Sequence, residues 1–195
     1  MDKFTKFPGI GPKQAARFAF YLLKEKEDRV ISLAKDIENL KKEITFCQGC
    51  YFPLEDSANL CSICKNDGRD KKTVCVVEKE MDLVVIEKTG KYKGRYFVLG
   101  GLVDFYDAES EGRLRLKELA KHIKNLKDSG ISDIEVILAI SLNAEGSATM
   151  IFLEKMLKPL SVKITRLAQG LPRGAEMEYA DAETLQNAME GRHVV

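Results

Sequence analysis

Cys47-Gln48-Gly49-Cys50 and Cys61-Ser62-Ile63-Cys64 stand with ten residues between their inner cysteines. How these two tetrads are read divides the chain. Each C-x-x-C puts two thiolates on one tight turn, and two such turns complete a tetrahedron of four sulfurs. No histidine lies close by in sequence to leave a coordination position open, so the spacing predicts one structural zinc per chain held by Cys47, Cys50, Cys61 and Cys64. Two other readings stay open at this stage. A pair of disulfides needs an oxidising compartment, and a redox C-x-x-C does not usually come as a facing pair. A helical, basic stretch precedes the knot, and an alternating strand–helix stretch follows it.

The bulk composition excludes several classes. The 195 residues carry 31 Lys and Arg against 30 Asp and Glu, a net charge of +1. Any polyanion binding must therefore be local. The charge is uneven along the chain: Lys3, Lys6, Lys13, Arg17 and Lys24 face only Asp2 before residue 25, while Glu176, Glu178, Asp181, Glu183 and Glu190 cluster near the other end. Met1–Phe7 does not read as a secretion signal, and no apolar run approaches a membrane span. The expectation is a soluble, cytoplasmic protein with no membrane partner, a compartment in which metal ligation suits the cysteines better than disulfides do. Cys75, inside Val74-Cys75-Val76-Val77, reads as a buried thiol.

Pro8-Gly9-Ile10-Gly11-Pro12-Lys13 is the second informative stretch. Gly9 and Gly11 permit backbone shapes other residues resist, and Pro12 can open a helix at its first position. Apolar residues at Ala15, Ala16, Phe18, Ala19, Leu22 and Leu23 fit a helix over about 13–24. Free amides at its start, with Lys13 and Arg17 one turn apart, make a phosphate-holding arrangement. The stretch resembles the helix-hairpin-helix motif, which grips DNA backbone without reading bases. A plain Gly-Pro turn between two helices is the alternative. A second helix is expected over about 28–45, with an apolar stripe at Val30, Ile31, Leu33, Ala34, Ile37, Leu40 and Ile44 for packing and its lysines in solvent.

Beyond a turn-like loop at Asp56-Ser57-Ala58-Asn59 and a linker at Asn66–Asp70, the rhythm changes. Strands are expected at 74–78, 95–99, 134–140 and 162–165, and helices at 81–87, 114–129, 144–157 and 182–190. The run Ile134–Ile140 reads as a strand buried on both faces. This alternation predicts an α/β fold, a parallel sheet flanked by helices, behind a small helical N-terminal domain. The expected parts are a helix-hairpin-helix domain over 1–46, a four-cysteine zinc finger and linker over 47–72, a Toprim-like domain over 73–172 and an acidic tail helix over 173–195.

That α/β half resembles a Toprim domain. Catalytic members place a Glu after the first strand and Asp-x-Asp, often with Glu-Gly, after a later one, and the acids bind magnesium for phosphoryl transfer. Glu78 fits the first position and Glu145-Gly146 the tail of the second. The two Asp positions fall on Ser141 and Asn143, so the site is expected to be non-catalytic, with Glu78 and Glu145 left as a contact patch for a basic partner. Glu78 capping the helix that follows it is the alternative.

Taken in order, the motifs resemble the bacterial RecR family of recombination mediators. The hairpin, the four cysteines and Val74–Glu78 carry the resemblance. So do Ile86–Tyr92, Val98-Leu99-Gly100-Gly101, Val136–Ala139, Glu145–Thr149, Arg166-Leu167-Ala168, Gly170-Leu171-Pro172 and Glu178–Asp181. The resemblance implies a DNA-repair protein without enzymatic activity that assembles into DNA-encircling rings, dimers or tetramers, near the nucleoid. With RecO or RecF it would help load RecA onto SSB-coated single strands. It further implies that Lys13 and Arg17 touch DNA beside Gly9 and Gly11, that the face around Glu78 and Glu145 meets RecO or RecF, and that the zinc knot holds the helical domain against the Toprim domain. The chain departs from the family pattern in having seven residues before Pro8, in the loop Leu102–Arg113, and at Arg173 and Ala175.

Two rival readings remain. One is a metal-dependent Toprim enzyme drawing acids from Asp104–Glu111. The other is a zinc-stabilised interaction module with no DNA contact.

Overall fold

The computed structural model describes residues 2–55, 58–104, 112 and 114–192. The contacts form two compact units, one of residues 1–45 and 54–57, the other of 46–53 and 58–195. The cysteine knot thus shares a unit with the sheet.

In the first unit, α1 (Pro12–Leu22) begins with Pro12 at its first position, where the missing N–H costs no helical bond. After a short turn comes α2 (Glu27–Glu43), with Glu27 and Asp28 at its start and Lys41 and Lys42 in its last turn, the order the helix dipole favours. Most of the stripe assigned to packing is not covered: Val30 and Ile44 are half-buried, while Ile31, Leu33, Ile37 and Leu40 are exposed. No residue of α2 is buried, and Ile37 and Leu40 are 56% and 58% exposed. The periodicity is helical as expected, but only the ends of the stripe are partly covered, with Val30 and Leu33 beside Tyr21 and Leu22 of the preceding helix. Phe18, Phe20 and Tyr21 of α1 are likewise exposed.

A two-stranded ribbon, β1 (Thr45–Phe46) and β2 (Pro53–Leu54), brackets the first knuckle, and the boundary between the units runs through it. The short α3 (Ser62–Lys65) carries the second. Then follow β3 (Thr73–Val77), α4 (Glu80–Lys88), β4 (Arg95–Val98), α5 (Leu116–Asp128), β5 (Glu135–Ala139), α6 (Ala144–Leu157), β6 (Lys163–Arg166) and α7 (Ala182–Glu190). The sheet is parallel throughout, in the order β4-β3-β5-β6. Parallel neighbours need crossover helices, and the sequence alternation supplies them. The predicted turn at Asp56-Ser57 and the acidic stretch 105–111 lie outside the described residues.

One face of the sheet holds the main core. Val74, Val76, Phe97, Val136 and Leu138 pack with Leu119 and Ile123 of α5 and Leu153 and Leu157 of α6. On the other face α4 packs against β3 and β4 and buries Leu83. The strand buried on both faces is therefore β3, whose Val74–Val77 are all buried. The β-branched run at β5 instead alternates buried with half-buried, because α4 covers β3 and β4. Cys75 is a buried thiol, as expected, and burial pushes its pKa up to about 12.

Candidate metal centre and nucleic-acid interface

The four knuckle cysteines are buried, and their sulfurs all lie within 4.8 Å of one another. They are free thiols; Cys50 Sγ and Cys61 Sγ are 3.5 Å apart, well beyond the ~2.05 Å of a disulfide. The first turn closes through Tyr51 N–H to Cys47 O at 2.8 Å. In the second, Cys61 caps α3, its Sγ accepting from Cys64 N–H at 3.4 Å, and Cys61 N–H donates to Cys47 Sγ at 3.3 Å. Amides aimed at sulfur favour thiolate. The bond to the Cys50 thiol, followed by those to Cys61 and Cys64, holds Cys47 well below the usual thiol range, and the same bond pushes Cys50 up. Four such sulfurs suit one divalent cation, which stabilises the thiolate form of its ligands.

The knuckle is fixed to the sheet by groups that spacing in the sequence does not reveal. Val98 N–H of β4 donates to Cys50 O at 2.8 Å. Arg115, just ahead of α5, donates from Nη1 to Val98 O at 3.1 Å. Its guanidinium lies 5.2 Å from the Phe46 ring centre and 5.3 Å from that of Tyr51. Tyr51 holds a left-handed backbone at φ +63°, a conformation that costs an L-residue about 1–2 kcal/mol. Its edge contact with Phe97 at 5.3 Å offsets that cost. Gly49 packs closely on the knot: a Cβ there would meet Cys64 Sγ at 3.0 Å, so the sulfur would have to give way.

At the hairpin, Gly9 stands at φ +75° and Gly11 caps α1 in extended conformation. Only glycine takes the first without strain. Ile10 N–H donates to Phe7 O and Ala15 N–H to Gly11 O; the amides of Gly9, Gly11 and Lys13 have no backbone acceptor among the described residues. Lys13 and Arg17 are exposed, four residues apart on α1. Arg17 also borders an open groove of about 570 Å³ with Gln14, Phe18 and Tyr21. The structure thus brings the four predicted residues to one helix start, with free donors and two cations.

At the carboxyl ends of β3 and β5, Glu78 is 4% exposed. Its Oε2 accepts from Ser141 Oγ at 2.6 Å, and its Oε1 meets Lys79 Nζ at 2.5 Å. Burial pushes its carboxyl up, but Lys79 and Ser141 outweigh burial and hold it below the usual range. Lys79 is held protonated above its usual range, first by Glu78 and then by the fields of Asp82 and Glu145. An ammonium therefore stands among the remaining acids. Asn143 caps α6, its Oδ1 accepting from Gly146 N–H at 2.8 Å, and its Nδ2 donates to Glu145 Oε2 at 3.3 Å. Glu145 itself is exposed. The alternative role for Glu78, capping the next helix, does not hold: the carboxylate at the start of α4 belongs to Asp82, whose Oδ2 accepts from Lys79 N–H at 2.9 Å. Of the acids proposed for the rival enzyme reading, Asp104 is described and 105–111 are not.

Glu78 carries a pH signature. A carboxyl with a depressed folded pKa adds stability above its unfolded value, near 4.5, and loses it as pH falls through the folded value. Below about pH 4.5, wild type is expected to lose stability more steeply than Glu78→Gln in urea melts. Parallel pH profiles would remove the paired-carboxylate account.

Three family models match in sequence order: "RecR, helix-hairpin-helix" over residues 1–41, "Toprim domain" over 72–168 and "RecR, C-terminal" over 170–193. The curated relatives agree. Recombination protein RecR of Chloroherpeton thalassium is 42% identical over 192 residues, 98% of this chain and 93% of that protein. This chain belongs to the RecR family. RecR of Dehalococcoides mccartyi is 44% identical, covering 98% of this chain and 91% of its own length. RecR of Chlorobium chlorochromatii is 40% identical over 195 residues, 100% of this chain and 95% of its own. The RecR hairpin match contains α1 and the glycines before it, and the Toprim match runs from β3 through β6. No helix among the described residues is long and apolar enough to cross a membrane.

Proposed function

We propose that the chain is a recombination mediator in DNA repair, a ring-forming DNA clamp that works with RecO or RecF. In this reading it helps load RecA onto SSB-coated single strands at gaps, in the cytoplasm near the nucleoid. The observation that carries the reading is the order of RecR hairpin, Toprim and RecR C-terminal matches along one chain. Gly9, Gly11, Lys13 and Arg17 hold phosphates by free amides and charge, without reading bases. Cys47, Cys50, Cys61 and Cys64 bind one structural zinc, which a closed four-sulfur shell suits. The uncovered apolar faces of α1 and α2 support self-assembly, since contiguous exposed apolar surface marks interaction sites. The four-part division at 46, 72 and 172 separates DNA grip, metal knot, Toprim platform and tail.

The Toprim half is read as chemically inert. Two-metal phosphoryl transfer needs carboxylates free to bind cations. Here Glu78 is engaged by Lys79 and Ser141, and Asn143 is a helix cap. Glu145 offers an exposed carboxylate to a basic partner, with Glu78 contributing from a buried position. RecA filament formation on SSB-coated single strands, followed with RecO or RecF present, tests the reading. Acceleration on adding this protein is expected, and no DNA cleavage or synthesis with magnesium or manganese. Unchanged filament growth, or metal-dependent turnover lost in Glu78→Gln, would contradict it.

A further inference from the structure

A second cationic surface lies in the other unit. Helix α5 reads Leu116-Lys117-Glu118-Leu119-Ala120-Lys121-His122-Ile123-Lys124-Asn125-Leu126-Lys127-Asp128. Leu116, Leu119, Ile123 and Leu126 face the core, so the helix is fixed in rotation. Lys117, Lys121 and Lys124 are all exposed, and spacings of four and three put them on one face. They span about 10 Å of helix axis.

None of the three is tied to an acid among the described residues. Three exposed cations elsewhere each have an acid four residues away: Arg29 with Glu25, Lys42 with Glu38, Lys71 with Asp67. Among the described residues, Lys117, Lys121 and Lys124 make no ion pair. Lys127 is excluded from the row, because its Nζ donates to Leu160 O at 2.6 Å. The helix has only two acids, Glu118 three residues before Lys121 and Asp128 four residues after Lys124, and neither forms an ion pair with the row among the described residues. Three like charges left unpaired on a rigid face repel one another, and a polyanion relieves that repulsion.

We infer that the Lys117–Lys121–Lys124 row of α5 is a second, sequence-independent contact for the phosphate backbone of DNA, separate from the hairpin. The chemistry of the face favours nucleic acid over an acidic peptide. Peptide docking draws its strength from apolar anchors in pockets, and α5 has no exposed large apolar residue among the described ones. Flexible lysines act as point charges, which suits evenly spaced phosphates and reads no base. The inference rests on the chain binding DNA, and it places part of that binding in the Toprim unit.

The experiment compares three full-length proteins: wild type, the triple Lys117→Gln, Lys121→Gln, Lys124→Gln, and the double Lys13→Ala, Arg17→Ala. Fluorescence anisotropy measures affinity for a labelled duplex of about 40 base pairs, long enough for several phosphate contacts, across a series of salt concentrations, with circular dichroism melts as the fold control. Each phosphate contact contributes about 0.9 to the slope of log affinity against log salt. The triple variant is expected to keep the wild-type melt, to bind at least about tenfold more weakly at low salt, and to lose roughly 2–3 from that slope. An unchanged slope in the triple with a reduced slope in the double overturns the α5 contact and leaves the hairpin standing. The reverse pattern removes the hairpin assignment and keeps the α5 contact. A poly-glutamate peptide is the second probe. If the triple loses peptide binding but binds DNA as wild type does, the row is a peptide surface and the inference is wrong. Should the triple melt early, single Lys121→Gln and Lys124→Gln variants give the same reading at about one slope unit each.

Discussion

Serine in place of Cys50 is expected to strip the metal from the protein and collapse the knuckle together with the sheet edge it rests on. Structural zinc sites of four sulfurs supply roughly 10–16 kcal/mol of apparent binding energy in isolated fingers. Part of that here goes into holding Cys50 O against Val98 N–H of β4 and into keeping Tyr51 in its left-handed backbone. A net loss of about 5 kcal/mol would lower the melting midpoint of a chain this size by roughly 10–20 °C. Elemental analysis should find one zinc per chain in wild type and none in Cys50→Ser, and a strong chelator should reproduce the shift. A variant that keeps both its midpoint and its metal content would rule out the four-sulfur site. A wild type that is metal-free and melts normally would do the same.

The second large effect is at Gly146. A Cβ built there would lie 1.8 Å from Ser141 O and 2.8 Å from the Ser141 carbonyl carbon. Both are backbone atoms, so no side chain can swing aside. Alanine must push α6 away from the end of β5. That breaks the Asn143 cap at 2.8 Å and pulls Ser141 from Glu78. The expected cost is about 3–5 kcal/mol, large for one methyl group. Gly170 is the control: nothing lies within 4 Å of a Cβ there, so Gly170→Ala should stay within about 0.5 kcal/mol of wild type. Urea denaturation of the two variants measures the difference. Equal midpoints would show that the close approach at Gly146 is not real.

The glycine of the Glu145-Gly146 pair was legible as a motif, but its reason was not. It lies in a contact between Gly146 and a carbonyl five residues back, which only the turn from β5 into α6 creates. Signals carried by short spacings read well: the two C-x-x-C knuckles, the Gly9–Gly11 turn and the strand–helix alternation. Partners distant in sequence did not. Ser141 reaches Glu78 across 63 positions, and Arg115 reaches Val98, Phe46 and Tyr51 through the fold. That Ser141 and Asn143 carry no acid was visible in the sequence; that Lys79 would pair with Glu78 was not, because adjacency in sequence does not fix where a flexible ammonium points. Apolar patterning also overstates burial. The β5 run is richer in β-branched residues than its burial requires, and the α2 stripe is helical in period while most of it is exposed.

The central claim is that the chain grips DNA through the amides and cations at the start of α1. The salt dependence of duplex binding by wild type and by Lys13→Ala, Arg17→Ala tests it most directly. The account predicts weaker binding by the double variant and a slope of log affinity against log salt shallower by about 2. Identical affinity and slope in the two proteins would contradict it.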